Sequence, residues 1–243
     1  MIAITVSVAV LIAGGTLLWS VLNPADWMLD EMSEQLPGVV FRIDTGERAI
    51  ALTIDDAPHP DVTPGLLRVL AAHDARATFF VIGSHAETHP ALVDSIRIAG
   101  HELANHFFTD RMSAGLSDEE FVRELRRTEA AIEPLGTPKW CRPGSGVITP
   151  RAIRLIEDNG YIPVLGTAYP VDLFAGVDLT VAHFMENIRP GAILVLHDGG
   201  PDREHNIEVL AALLPRIEEE GYRLVTLTEL SRLGSPVARP HTP

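Results

Sequence analysis

The sequence predicts an α/β fold: a parallel sheet of about seven strands wound with helices, preceded by one N-terminal transmembrane helix. Three observations predict it. From Ala49 onward, short apolar runs alternate with helical stretches, the pattern of strands joined by crossover helices. Chemically capable side chains gather where those runs end, as they do at the carboxyl ends of strands in open sheets and barrels alike. The segment Ile2–Leu22 carries no charge, over a length just sufficient to cross ~30 Å of hydrocarbon.

In chain order, Ile2–Leu22 shows no polar face, unlike a helix packed on a globular core. Acidic residues follow it (Asp26, Asp30, Glu31, Glu34), and the first cation is Arg42. That flank fits a signal anchor in residues 1–22 with the domain outside the cytoplasm. Secretion after signal cleavage is the rival, although neither a basic leader nor a clear cleavage site is evident. Residues 23–47 read as a connector, 48–232 as one α/β domain and 233–243 as a disordered tail.

Seven runs read as strands: 49–55, 77–83, 101–106, 139–142, 161–167, 192–198 and 222–227. Thr63-Pro64 opens a helix over 63–74, a capping residue followed by proline at the first helical position. The stretch 89–100 ends at a glycine, and 117–136 opens with the capping box Ser117–Glu120. Thr149-Pro150 begins the next helix, 149–160, and 203–221 reads as the last, interrupted at Pro215. Composition bounds the rest. The length of 243 residues suits one large α/β domain or two small ones. A net charge of −14 argues against a nucleic-acid partner. The single cysteine, Cys141, excludes an internal disulfide and a thiolate zinc site.

At the strand ends stand Asp55-Asp56, then His106 with Asp110, Arg142 in "RPGSG", Asp172 in "YPVDLF", and His197-Asp198. These motifs, in this order over about residues 49–230, resemble the polysaccharide deacetylase family, the NodB-homology carbohydrate esterases. "TIDDA" is similar to the family's Thr-Phe-Asp-Asp-Gly, "HFFTD" to His-Ser/Thr-x-x-His, "RPGSG" to Arg-Pro-Pro-Tyr-Gly, and "LVLH" to Leu-x-Leu-His. The resemblance implies a distorted (β/α) barrel of about seven parallel strands. It also implies a metal-dependent hydrolase that removes N-acetyl (or O-acetyl) groups from a polysaccharide or oligosaccharide. By the same resemblance Asp55 is the general base, and Asp56 and His106 bind a divalent metal, zinc first. His197 is the general acid, Arg142 positions the base, Asp172 pairs with Arg142, and the backbone at Ser145 holds the oxyanion. The chemistry is self-consistent: a metal acidifies bound water and polarises the amide, a carboxylate takes the proton, and an imidazole protonates the leaving amine.

Several positions depart from that pattern. Asp110 stands where the third metal ligand would be a histidine, a harder donor that admits Mn, Co or Mg beside zinc. Ala57 replaces a glycine, Gly144-Ser145 replaces Pro-Tyr, Tyr169 an aspartate and Leu173 a tryptophan. Two other readings follow: a catalytically inactive glycan-binding homologue, and a deacylase of a non-glycan amide. His59 stands apart from the core set. The remaining histidines, including His85, His101 and His183, read as surface or capping residues.

Overall fold

The computed structural model describes residues 25–170, 176–199 and 205–236, with the backbone but not the side chain of Ser145. The described strands are β1 (Ile43–Asp44), β2 (Ala49–Ala57), β3 (Thr78–Val81), β4 (Glu102–Asn105), β5 (Trp140–Cys141), β6 (Ile162–Pro163), β7 (Ile193–His197), β8 (Arg223–Val225) and β9 (Ser235–Pro236). β2 to β8 each fall on one of the seven expected runs and form one parallel sheet, ordered β6-β5-β4-β3-β2-β7. β8 pairs with the first residues of β2, whereas β3 pairs with its last residues. β1 and β9 make a separate antiparallel pair, within the stretches read as connector and tail.

Alternation along the strands sorts side chains into two layers. In β2, Ile50, Leu52 and Ile54 join the core beneath the helices. Ala49 and Ala51 turn to the inner face of the curled sheet, with Phe80, Ala104, Trp140 and Ile193. Leu194 and Leu196 of β7 follow the first pattern. The inner layer is closed at the amino ends of the strands by Leu227 and Leu230.

The expected fold class needs correcting in two respects. Where a regular barrel joins its edge strands by a ladder, β6 and β7 are linked here through the isolated parallel bridge Ala168–Leu194. The seam is filled from elsewhere: Val39, Val40, Phe41 and Ile43 are buried, and Val40 bridges Val164. At Gly191 a Cβ would stand 1.7 Å from the Ile43 carbonyl oxygen, so a side chain there would push the filling segment out. The physical reason is local: Pro143 and Pro163 lack ladder donors, which keeps β5 and β6 to two residues each. The result is a curled sheet. Secondly, among the described residues no helix is long and apolar enough to cross a membrane. The segment expected to do so, residues 1–22, lies outside the described residues.

The helices are α1 (Asp26–Gln35), α2 (Thr63–Ala72), α3 (Gly83–Thr88), α4 (Pro90–Ile98), α5 (Asp118–Ile132), α6 (Pro150–Asp158), α7 (Val177–Asn187), α8 (His205–Glu219) and α9 (Leu227–Ser231). The capping box at Ser117 is present, and the Thr149 hydroxyl caps α6 by accepting from the Ala152 N–H at 3.2 Å. The other Thr-Pro start behaves differently. Val62 occupies the cap position of α2, and the Thr63 hydroxyl is turned to other partners.

Candidate active site

The inner face of β2 reads Ala49, Ala51, Thr53, Asp55, so alternation delivers Asp55 to the carboxyl end of the inner layer. Asp55 pairs in register with His197 of β7, which sets a carboxylate and an imidazole side by side on neighbouring strands. The His197 carbonyl accepts from Asn206 Nδ2 at 3.0 Å, fixing the end of β7 against α8. Alternation would send Asp56 to the opposite layer. A register shift between Ile54 and Ala57, with Asp56 at φ 68°, redirects the chain at this point. Aspartate tolerates that left-handed geometry better than most residues.

Arg142 lies 1% exposed inside the sheet. Its Nη1 donates to Asp55 Oδ1 at 2.5 Å and to Thr53 Oγ1 at 2.9 Å. Nη2 and Nε donate to the carbonyls of Leu165 and Val164, at 3.2 and 3.4 Å, and the guanidinium lies 4.2 Å from the centre of the Phe80 ring. The cation is thus held through Nη1, Nη2 and Nε, and its Nη1 anchors one oxygen of the Asp55 carboxylate. The Tyr169 hydroxyl accepts from the Gly166 N–H at 2.9 Å nearby. Burial pushes its pKa up, Arg142 works against that rise and Asp55 adds to it.

His106 follows β4, and its Nδ1 lies 2.6 Å from the Arg142 carbonyl. A proton on Nδ1 then donates to that oxygen, and Nε2 faces Asp56 Oδ1 at 3.5 Å. Burial alone would lower the His106 pKa, but the charges of Asp55 and Asp56 outweigh it and hold it above the ordinary value. Phe107 next to it adopts φ 65°, a strained setting for an aromatic residue. The Asn105 side chain supports this turn, accepting from the Phe107 N–H and donating to the Leu125 carbonyl and the Tyr161 hydroxyl.

Asp56 and His106 therefore present two metal-type donors to one point. Asp110 does not complete the set: it is exposed, and no group of three such side chains able to hold a metal exists among the described residues. Its neighbours explain this. Thr109 donates through both N–H and hydroxyl to Glu124 on α5, and Arg111 pairs with the same carboxylate at 3.1 Å. With both flanking residues tied to the helix, Asp110 is left on the outside of the turn. Asp172, expected to pair with Arg142, lies outside the described residues; Asp55 is the carboxylate that the described structure sets against that cation. Ser145 falls in the one-turn helix Gly144–Gly146, with Asp110 Oδ1 3.7 Å from where a Cβ on Gly144 would lie.

Sequence reasoning overlooked several neighbours. Thr53, two residues before Asp55, shares its face and could have been found from the period of two. Asn105 gave no signal beyond preceding His106. His85 Nδ1 is 3.0 Å from the Asp56 carbonyl, His101 is buried beside Phe79, and His183 Nε2 donates to the Tyr169 carbonyl at 2.8 Å. The burial of His101 and His183, and the inward turn of half-buried His85, correct the reading of these three as surface or capping residues; His85 and His183 reach the site's backbone, which spacing could not reveal.

Residues 42–164 match the sequence profile of the polysaccharide deacetylase family. A peptidoglycan-N-acetylglucosamine deacetylase of Bacillus cereus is 35% identical over 198 residues, 80% of this chain and 93% of that protein. A chitooligosaccharide deacetylase of Bradyrhizobium is 32% identical over 201 residues, 76% of this chain and 92% of the relative. A crystal structure of a peptidoglycan N-acetylglucosamine deacetylase with 4-naphthalen-1-yl-N-oxidanyl-benzamide superposes with TM-score 0.76, 25% identity and 85% and 97% coverage of the two chains. So does a family 4 acetyl xylan esterase from Clostridium thermocellum in complex with a cobalt ion (TM-score 0.71, 29% identity, 78% and 94% coverage). A mutant of a pseudoenzyme of carbohydrate esterase family 4, with restored enzymatic activity, matches with TM-score 0.72, 28% identity and 80% and 71% coverage. The chain belongs to the polysaccharide deacetylase family, hydrolases of carbon–nitrogen bonds other than peptide bonds.

Proposed function

We propose that the protein hydrolyses the N-acetyl group of an N-acetylglucosamine-containing glycan, outside the cytoplasm. The observation that carries this reading is the pairing of Asp55 with His197 across β2 and β7, with Arg142 holding Asp55. Asp55 accepts the proton of the attacking water, its Oδ1 anchored by Arg142 Nη1. His197 protonates the leaving amine, and the backbone of 144–146 faces the developing oxyanion. Asp56 and His106 would hold a divalent cation, zinc first, which when bound supplies water of lowered pKa and a polarised carbonyl. The glycan class is supported by the relatives, which are named for peptidoglycan and chitooligosaccharide.

The test is acetate release from N-acetylglucosamine oligomers, before and after chelation and reconstitution with zinc or cobalt, together with the metal content of the protein. Activity that chelation removes and metal restores supports the reading. A second reading, a glycan-binding homologue without catalysis, is favoured by one observation: among the described residues no third donor joins Asp56 and His106. Glycan binding with neither stoichiometric metal nor acetate release would establish it instead.

A further inference from the structure

Alternation at the end of β7 places His197 on the face of the sheet that carries Asp55, and the next residue, Asp198, on the helix side. Asp198 is fully buried there. Its Oδ2 accepts from the Thr63 hydroxyl at 2.5 Å, and Oδ1 has no hydrogen-bond partner among the described residues. Thr63, also fully buried, accepts in turn from the His59 N–H at 2.8 Å and donates its own N–H to the His59 carbonyl at 3.0 Å. The Asp198 N–H donates to the Asp55 carbonyl at 2.7 Å. The His59 side chain rests on Gly199, where a Cβ would stand 2.9 Å from the His59 Cβ and 3.0 Å from its Cδ2, and φ is 98°.

We propose that Thr63 and Asp198 form a clamp that seats the 55–59 segment, and with it Asp55 and Asp56, against the end of β7 that carries His197. Both are then positioning residues for the deacetylation, and the proposal rests on that reading. Two observations set this apart from ordinary packing. Thr63 gives up the cap that its counterpart Thr149 makes, so its hydroxyl serves Asp198 at the expense of α2. A buried carboxyl with an unpaired oxygen costs stability, which an apolar residue would avoid. Burial pushes its pKa up to about 7, with the Thr63 hydrogen bond opposing and the charge of Asp56 adding to the rise.

Thr63→Val removes the hydroxyl and keeps the shape; Thr63→Ser keeps the hydroxyl. In the full chain, Thr63→Val is expected to lower kcat about tenfold or more with KM within about twofold, and Thr63→Ser to restore it. Hydrogen exchange of residues 55–63 should quicken at least about tenfold in Thr63→Val, with other segments unchanged. Asp198→Ala should reproduce both effects, and the double variant should add nothing further. Asp198→Ala also carries the test should Thr63→Val not fold. Unchanged kcat, unchanged exchange at 55–63 or additive losses would overturn the clamp. A wild-type protein that releases no acetate would count against the deacetylase reading, and the exchange measurement would then decide the clamp by itself.

Discussion

Asp55, Asp56 and Asp198 lie within one small region and do three different things because their surroundings differ. Asp55 is gripped by a buried cation, Asp56 faces an imidazole, and Asp198 meets the Thr63 hydroxyl. The Asp-Asp pair and the His-Asp pair were legible in the sequence as site material. The resemblance also divided the work of Asp55 and Asp56; the register shift and the φ of 68° that turn Asp56 toward the site, and the separate surroundings of Asp198, were not legible there. Asp198 supplies a prediction at this scale. Its carboxyl has a pKa of about 7 when folded, above the ~4 of an unfolded aspartate, so the folded state holds the proton over that interval. The stability it contributes is greatest below ~4 and is lost as pH rises through about 7. Wild-type thermal midpoints should therefore fall relative to those of Asp198→Asn between pH 5 and pH 8. Parallel curves would show that the carboxyl is not the source.

Elements carry the site by their ends. The short strands β5 and β6 leave Arg142 and the carbonyls of Val164 and Leu165 at the same height as Asp55, and the turn after β4 brings in His106. Strand positions were readable from apolar runs, and helix starts from caps, because both signals are local. The two Thr-Pro starts show the limit: identical in sequence, they differ once Asp198 competes for the hydroxyl of one. Ser117→Ala and Thr149→Ala should each cost about 1 kcal/mol of unfolding free energy and leave kcat unchanged. Equilibrium denaturation and steady-state kinetics on the same samples check this, and a fall in kcat would show that those caps reach the site.

For the whole molecule, the sheet curls far enough to gather five chain segments at one end, and the 39–43 segment seals its seam. The parallel α/β architecture was legible because the alternation repeats along the chain. The irregular closure was not, because it is made by isolated bridges and by residues that read as a connector. Asp110 also belongs to this scale, since Glu124 on α5 holds its neighbours and so decides where it lies. This gathering pairs Asp55 with His197 across β2 and β7, as base and acid in the proposed reaction. Acetate release from N-acetylglucosamine oligomers by wild type, Asp55→Asn and His197→Ala, with folding checked by circular dichroism, tests it most directly. Wild type is expected to release acetate, with kcat falling roughly 10²–10⁴-fold in each variant; folded variants that release acetate at the wild-type rate would rule out the pair as base and acid.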